Sequence, residues 1–226
     1  MDFLGAAELL NCFAVYGRFY EKTIAGVPEQ LRDRLEIAPH GIPLRDVVRR
    51  DPDLLVVMMN PGGSRPLDAL WAPTDAEGFV AAQPDRTQYQ IMRLLLRAQA
   101  MGLNWQHARV LNLSDLRTPK SAVFVQKLRD YAEDDRHSVF SQARLAERQS
   151  LFGNLAVPIL LGWGLHTAFV DVATKALAAE QGHPLLGLSD DGVRYRHPLP
   201  QRHDFQVKWL DQVAVQIRAL MASAAV

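Results

Sequence analysis

Cysteine is nearly missing: Cys12 is the only one in 226 residues. A single thiol closes no disulfide within the chain and supports neither an iron–sulfur cluster nor a cysteine-based zinc site. That usage suits a reducing compartment, so a cytoplasmic location is expected. Net charge is missing too, because 25 basic residues face 25 acidic ones. No global field then draws the chain to nucleic acid or membrane, although a local basic patch stays open. No apolar run approaches membrane-spanning length, so no membrane association is expected. The opening MDFLGAAELLNCFAVYG has no basic leader and is interrupted by Glu8 and Asn11; it reads as an amphipathic helix rather than a signal peptide. The seven histidines show no His-x-His or His-Glu-x-x-His spacing, and no glycine pair precedes Lys-Ser or Lys-Thr. Neither a metal site nor a nucleotide P-loop is expected.

What is present suits one globular unit over 1–226, with 48% hydrophobic and 22% charged residues. Four short apolar runs read as strands: 54–59, 109–113, 157–161 and 193–196. The first and third are apolar throughout, as strands covered on both faces tend to be. Helical patterns lie between them. Over 86–101, Ile91, Leu94, Leu95 and Ala98 form one stripe, with Asp85 and Gln88 spaced as a capping box and Gly102 as the stop. Further helical stretches run over 138–152, 166–181 and from 204 to the end. Residues 1–50 are expected to pack on the sheet as an N-terminal helical segment, and 129–137 to be a solvated surface segment. The order predicts an α/β three-layer sandwich around a mostly parallel, four-stranded central sheet.

Ligands of open parallel sheets sit beyond the carboxyl ends of the strands. The residues at those ends are therefore informative. The first strand runs into Asn60, Pro61, Gly62, Gly63 and Ser64; the second closes on Asn112; the third meets Gly162, Trp163 and Gly164; the fourth leads to His197, Pro198 and Arg202. Two asparagines and a histidine should face one cleft.

NPGG, VLNLSDLRT, LLGWG and RHPLPQR, in this order on these strands, resemble the uracil-DNA glycosylase superfamily, and most closely an uncharacterised bacterial family with Asn-Pro and His-Pro-Leu motifs. The likeness spans roughly 54–217 through short motifs. It implies hydrolysis of the N-glycosidic bond of a uracil-like, mismatched or damaged base in DNA, with no cofactor. By the same resemblance Asn60 positions water, Asn112 reads the polar edge of a pyrimidine, and His197 supports charge on the departing base. Gly62 stands where strict uracil enzymes carry a tyrosine that bars a 5-methyl group. Met58 departs from the usual glycine, and Gln201 stands where a wedge leucine is usual; Arg202 lies beside that gap. Trp71 and Phe79 are the candidates for stacking on the base.

Each motif also has a plainer reading. Asn-Pro-Gly-Gly is a common turn, Asn112 can satisfy loop backbone, and Asp85 reads as a helix cap rather than a catalytic acid. Two alternatives to the glycosylase stay open. One is an inactive nucleic-acid or nucleotide-binding module; the other is an enzyme acting on a small nucleoside-like ligand. Strand preference and oligomeric state are not legible.

Overall fold

In the computed structural model, residues 3–70, 78–152, 156–179 and 182–224 are described. The chain builds an eight-stranded mixed sheet flanked by helices. After a short helix α1 (Ala6–Cys12), strands β1 (Phe13–Ile24) and β2 (Val27–Pro39) form a long antiparallel hairpin. Then follow α2 (Leu44–Arg49), β3 (Leu54–Met58), β4 (Arg65–Pro66), β5 (Phe79–Gln83), α3 (Arg86–Ala100) and β6 (Ala108–Asn112). The remainder is α4 (Ser121–Asp130), α5 (Leu145–Phe152), β7 (Ile159–Gly162), α6 (Val170–Ala178), β8 (Leu185–Leu186) and α7 (His203–Ala224).

Spatial order is β4-β5-β1-β2-β6-β3-β7-β8. β6, β3, β7 and β8 run parallel, while β2 joins β6 antiparallel. The expected four-stranded sheet is thus corrected to an eight-stranded mixed one. The parallel strands are one half of it, and the hairpin with β4 and β5 makes the other. The N-terminal helical segment is corrected as well, because most of 13–39 is strand.

Two further expectations shift. Residues 193–196 form no ladder strand; the β-bridges of Tyr195, to Gly164 and Ser189, are isolated ones. The reason is local. Val193 and Arg194 both donate their N–H to Asp191 Oδ1, at 3.0 and 2.8 Å, so a side chain takes the donors that a ladder would need. The strand beside β7 is instead β8, through Ile159↔Leu185 and Leu160↔Leu186. The stretch 129–137 is not wholly solvated either, since Tyr131 and His137 are buried.

Alternation along β3 explains how both faces are covered. Leu54, Val56 and Met58 pack in one core with Ile91, Leu94 and Leu95 of α3 and Leu210 and Val213 of α7. Leu55 and Val57 enter the other, with Phe124, Leu151 and Ala173 from α4, α5 and α6. Each fully buried aliphatic or aromatic side chain contributes about 1.5–3 kcal/mol. At α3 the cap geometry matches the sequence signal: Asp85 Oδ1 accepts from Thr87 N and Gln88 N, and Gln88 Oε1 accepts from Asp85 N.

The hairpin buries charge as well as apolar surface. Glu36 is wholly buried and accepts from Arg34, from Arg109 Nε at 2.9 Å and from His107 Nε2 at 2.6 Å. Burial alone would raise its carboxyl. The His107 hydrogen bond and the charges of Arg109 and Arg34 outweigh that and hold it below the ordinary 4.5. A depressed folded pKa stabilises above the unfolded value and is lost as pH falls through the folded one. Stability is therefore expected to drop in acid below about pH 4.5, and Glu36→Gln should flatten that part of the profile. Denaturant melts from pH 6 to 3 check it; an unchanged acid slope in the variant would remove Glu36 from the explanation.

Candidate functional site

β3 delivers the chain to the site through a tight turn. Ser64 N–H donates to the Pro61 carbonyl at 3.1 Å, and Gly62 sits at φ +60°, a left-handed conformation costing most side chains roughly 1–2 kcal/mol. This turn gives Gly62 a backbone reason to be glycine. A Cβ there would meet nothing within 4 Å, so the space beside it is open.

Asn60, just ahead of the turn, is held by its amide. Nδ2 donates to the carbonyls of Leu116 at 3.1 Å and Thr118 at 2.9 Å. With both N–H groups committed to the loop after β6, its Oδ1 is the remaining polar atom, and it can only accept. Asn112 ends β6 and is fully buried. In the amide orientation that satisfies both its groups, Nδ2 donates to the Asn60 backbone carbonyl at 3.3 Å and Oδ1 accepts from Arg32 Nη2 at 3.2 Å. One N–H and one lone pair are left over.

His197 arrives from the far side, on the loop that follows Tyr195. Its Nδ1 accepts from Leu199 N at 3.1 Å, which places the proton of a neutral ring on Nε2. Burial lowers its pKa from 6.5 against the pull of Asp85. At neutral pH it is an uncharged N–H donor. The loop lies close against the end of β7: a Cβ on Gly162 would stand 2.7 Å from Pro198 Cδ and 3.0 Å from Cγ. Gly162→Ala must push the His197 loop outward, at about 1–3 kcal/mol. A chemical melt should register that loss, and unchanged stability would show that the loop does not depend on this approach.

These residues line one cleft of about 120 Å³ at the carboxyl end of β3 and β6, together with Met58, Pro61, Gly62, Asp85 and Arg32. A cavity of about 150 Å³ holds one benzene ring, so the cleft is on the scale of a single ring. α3 supplies Thr87, Gln88 and Ile91, and the loop after β6 supplies Thr118 and Pro119. Asp85 both caps α3 and borders the cleft. On its other side His197 borders a wider groove of about 510 Å³, with Arg196, Lys208 and Trp209.

Of the residues marked in the sequence, Asn60, Pro61, Gly62, Asn112 and His197 come together. Gly63, Ser64 and Arg202 do not line the cleft. Ser64 is buried, with its carbonyl accepting from Arg117 Nε at 2.8 Å. Arg202 is exposed, paired with Asp204 and stacked over Phe205 at 4.5 Å. Phe79 lies under Arg34 at 5.1 Å, on β5 and away from the cleft; Trp71 falls outside the described residues. Sequence reasoning passed over Arg32, which borders the cleft from β2. Leu31 and Leu35 stand four residues apart with Asp33 between them, a helical spacing, and only Leu35 to Ile37 alternates as a strand does, so the local pattern gave Arg32 little signal.

No family model matches the chain, and no curated protein matches it. Among solved structures, a serine-to-alanine mutant of the feruloyl esterase module from Clostridium thermocellum, complexed with sinapinate, is similar at a TM-score of 0.34 and 8% identity, over 99% of this chain and 67% of that one. A likeness that low carries no argument. The α/β class rests on the sheet and its helices. Among the described residues no helix is long and apolar enough to cross a membrane.

Proposed function

We propose that the cleft receives a single uracil-like, mismatched or damaged base turned out of DNA, and that the chain hydrolyses its N-glycosidic bond as a member of the uracil-DNA glycosylase superfamily. The observation that carries this reading is the convergence of Asn60, Asn112 and His197, from beyond β3, the end of β6 and the loop after Tyr195, on one ring-sized cleft. The C1′–N bond breaks with its electron pair leaving on the base, the water oxygen bonds to C1′, and the water's proton ends on the base nitrogen. Asn60 Oδ1 orients that water, and an amide is too weak a base to do more. His197 Nε2–H donates to the oxygen on which charge gathers, a contribution that grows only as the bond breaks. The free N–H and lone pair of Asn112 face the polar edge of the ring. Flipping a paired base costs a few kcal/mol, and the wider groove beyond His197, with Lys208 exposed on it, gives room for the flanking strand. No cofactor is required by this chemistry.

Oligonucleotides carrying uracil, mismatched thymine, hypoxanthine or alkylated bases, single- and double-stranded, test the reading by the appearance of abasic sites. Cleavage of none of them refutes it. A non-catalytic binding module on the same fold is the second reading, favoured by the lack of basicity at Asn60; it predicts binding to these strands, weakened by salt, with no abasic product.

A further inference from the structure

Buried charges on the hairpin are almost all matched. Glu36 has Arg34, Arg109 and His107. Asp33 has Arg18 and Arg144, and Asp115, on the loop after β6 beside the hairpin, has Arg144 and Tyr20. Arg32 is the exception. It is 2% exposed, its Nε and Nη1 find no partner, and among the described residues it has no ion pair. Among the described residues its one side-chain hydrogen bond runs from Nη2 to Asn112 Oδ1, in the amide orientation given above.

A bulge puts it there. β1 and β2 pair as Gly17↔Leu35 and Arg18↔Arg34, then as Phe19↔Arg32, leaving Asp33 unopposed. Directly opposed residues share a face of the sheet. Without the extra residue Arg32 would lie with Arg34 and Glu36 among the matched charges. With it, Arg32 lies with Phe19 and Leu35, on the face that α3 covers and where the cleft opens. Bulges beside functional sites commonly re-aim a side chain in this way. Burial pushes its pKa down to about 10, opposed by Asp85, Asp115 and Asp33, so it stays a cation at neutral pH. Asp85 also borders the cleft and its charge favours the cation, but its Oδ1 is committed to the cap of α3 and it forms no ion pair with Arg32. An unpaired buried charge is costly until something of opposite sign arrives.

We propose that Arg32 is the anion-recognising residue of the cleft, and that the ring bound there is favoured in its negatively charged form, the form in which a base departs. This rests on the base-pocket reading for the ring, and on the unmatched guanidinium for the charge. Neutral His197 supplies a hydrogen bond to the leaving base; Arg32 supplies the charge that His197 lacks.

Calorimetric titration of the full chain at neutral pH with uracil, which is neutral there, and with barbiturate, a pyrimidine trione that is an anion there, tests the proposal without requiring cleavage. Barbiturate is expected to bind about ten- to hundredfold more tightly, the worth of one charge-assisted contact. Arg32→Gln should bring the two ligands to near equality, and Arg32→Lys should keep most of the difference. Equal or weaker binding of barbiturate to the wild type overturns the proposal, as does a preference that persists in Arg32→Gln. The wild-type comparison decides the matter even where a variant does not fold. A charge preference with no cleavage on any oligonucleotide would refute the glycosylase reading and leave this one standing; cleavage without the preference would do the reverse.

Discussion

Replacing His197 with alanine is expected to slow the proposed base excision by about a hundred- to a thousandfold, the cost of removing one donor from a site of developing negative charge. Substrate binding should change little, because the hydrogen bond strengthens only as the bond to the sugar breaks. The geometry gives the variant a sharp signature. His197 Nδ1 is occupied by Leu199 N–H, so the donor is Nε2 of a neutral ring. A glutamine, which offers an N–H and an acceptor, should restore part of the rate, whereas alanine restores none. Single-turnover rates alongside affinity for an uncleavable strand separate the two effects. A variant that loses affinity and rate equally would mean that His197 only binds, as the module reading requires.

The second large effect is expected at Asn60, and its direction is less intuitive. An aspartate there would be a stronger base, yet Asn60→Asp is expected to damage the protein. Both N–H groups of Asn60 are donated to the carbonyls of Leu116 and Thr118. A carboxylate would face two carbonyl oxygens and leave both without a partner, a loss of about 2–4 kcal/mol for two unmet acceptors in a half-buried site. Protonation would return one donor. The new carboxyl should therefore have a raised folded pKa, giving stability that is present at low pH and lost as pH rises through that value. Denaturant midpoints at pH 5 and pH 8 check this: the variant should lose more against wild type at pH 8. Equal stability at both would show that the loop carbonyls can turn away, and the argument for a rigidly oriented Oδ1 would fail with it.

Legibility followed the chemistry of each segment. β3, β6 and α3 were readable because their signals are local: runs of Leu, Val and Ile for the strands, and Asp85 with Gln88 for the helix start. The ends of β3 and β6 then placed Asn60 and Asn112 together without any long-range information; His197 was placed by a strand expected over 193–196, which does not form, and it reaches the cleft on a loop instead. The hairpin was not readable in the same way. Its second strand carries Glu29, Arg32, Asp33, Arg34 and Glu36, all of them buried or nearly so. Charges at that density look like a solvated helix until their partners are known. Three of those partners, Arg109, His107 and Arg144, lie more than seventy residues away. The Asp33 bulge hides the pattern further by breaking the two-residue alternation beside Arg32. A two-residue turn at Ala25-Gly26, with φ of +46° and +83°, was the surviving clue, since such turns join antiparallel strands.

The junction between the two halves of the sheet has a mechanical meaning. β2 meets β6 over three residue pairs, Leu35↔Val110, Glu36↔Arg109 and Ile37↔Ala108, whereas β6 meets β3 over five. Arg32 stands on one side of that short seam and Asn112 on the other. A ligand touching both would stitch the halves together, and free energy of binding would appear as added resistance to opening along the seam. In amide hydrogen exchange the main-chain protons of 35–37 and 108–110 would slow on ligand addition, while those between β3 and β7 would keep their pace. The cleft would then report its occupancy through the stiffness of the sheet beneath it.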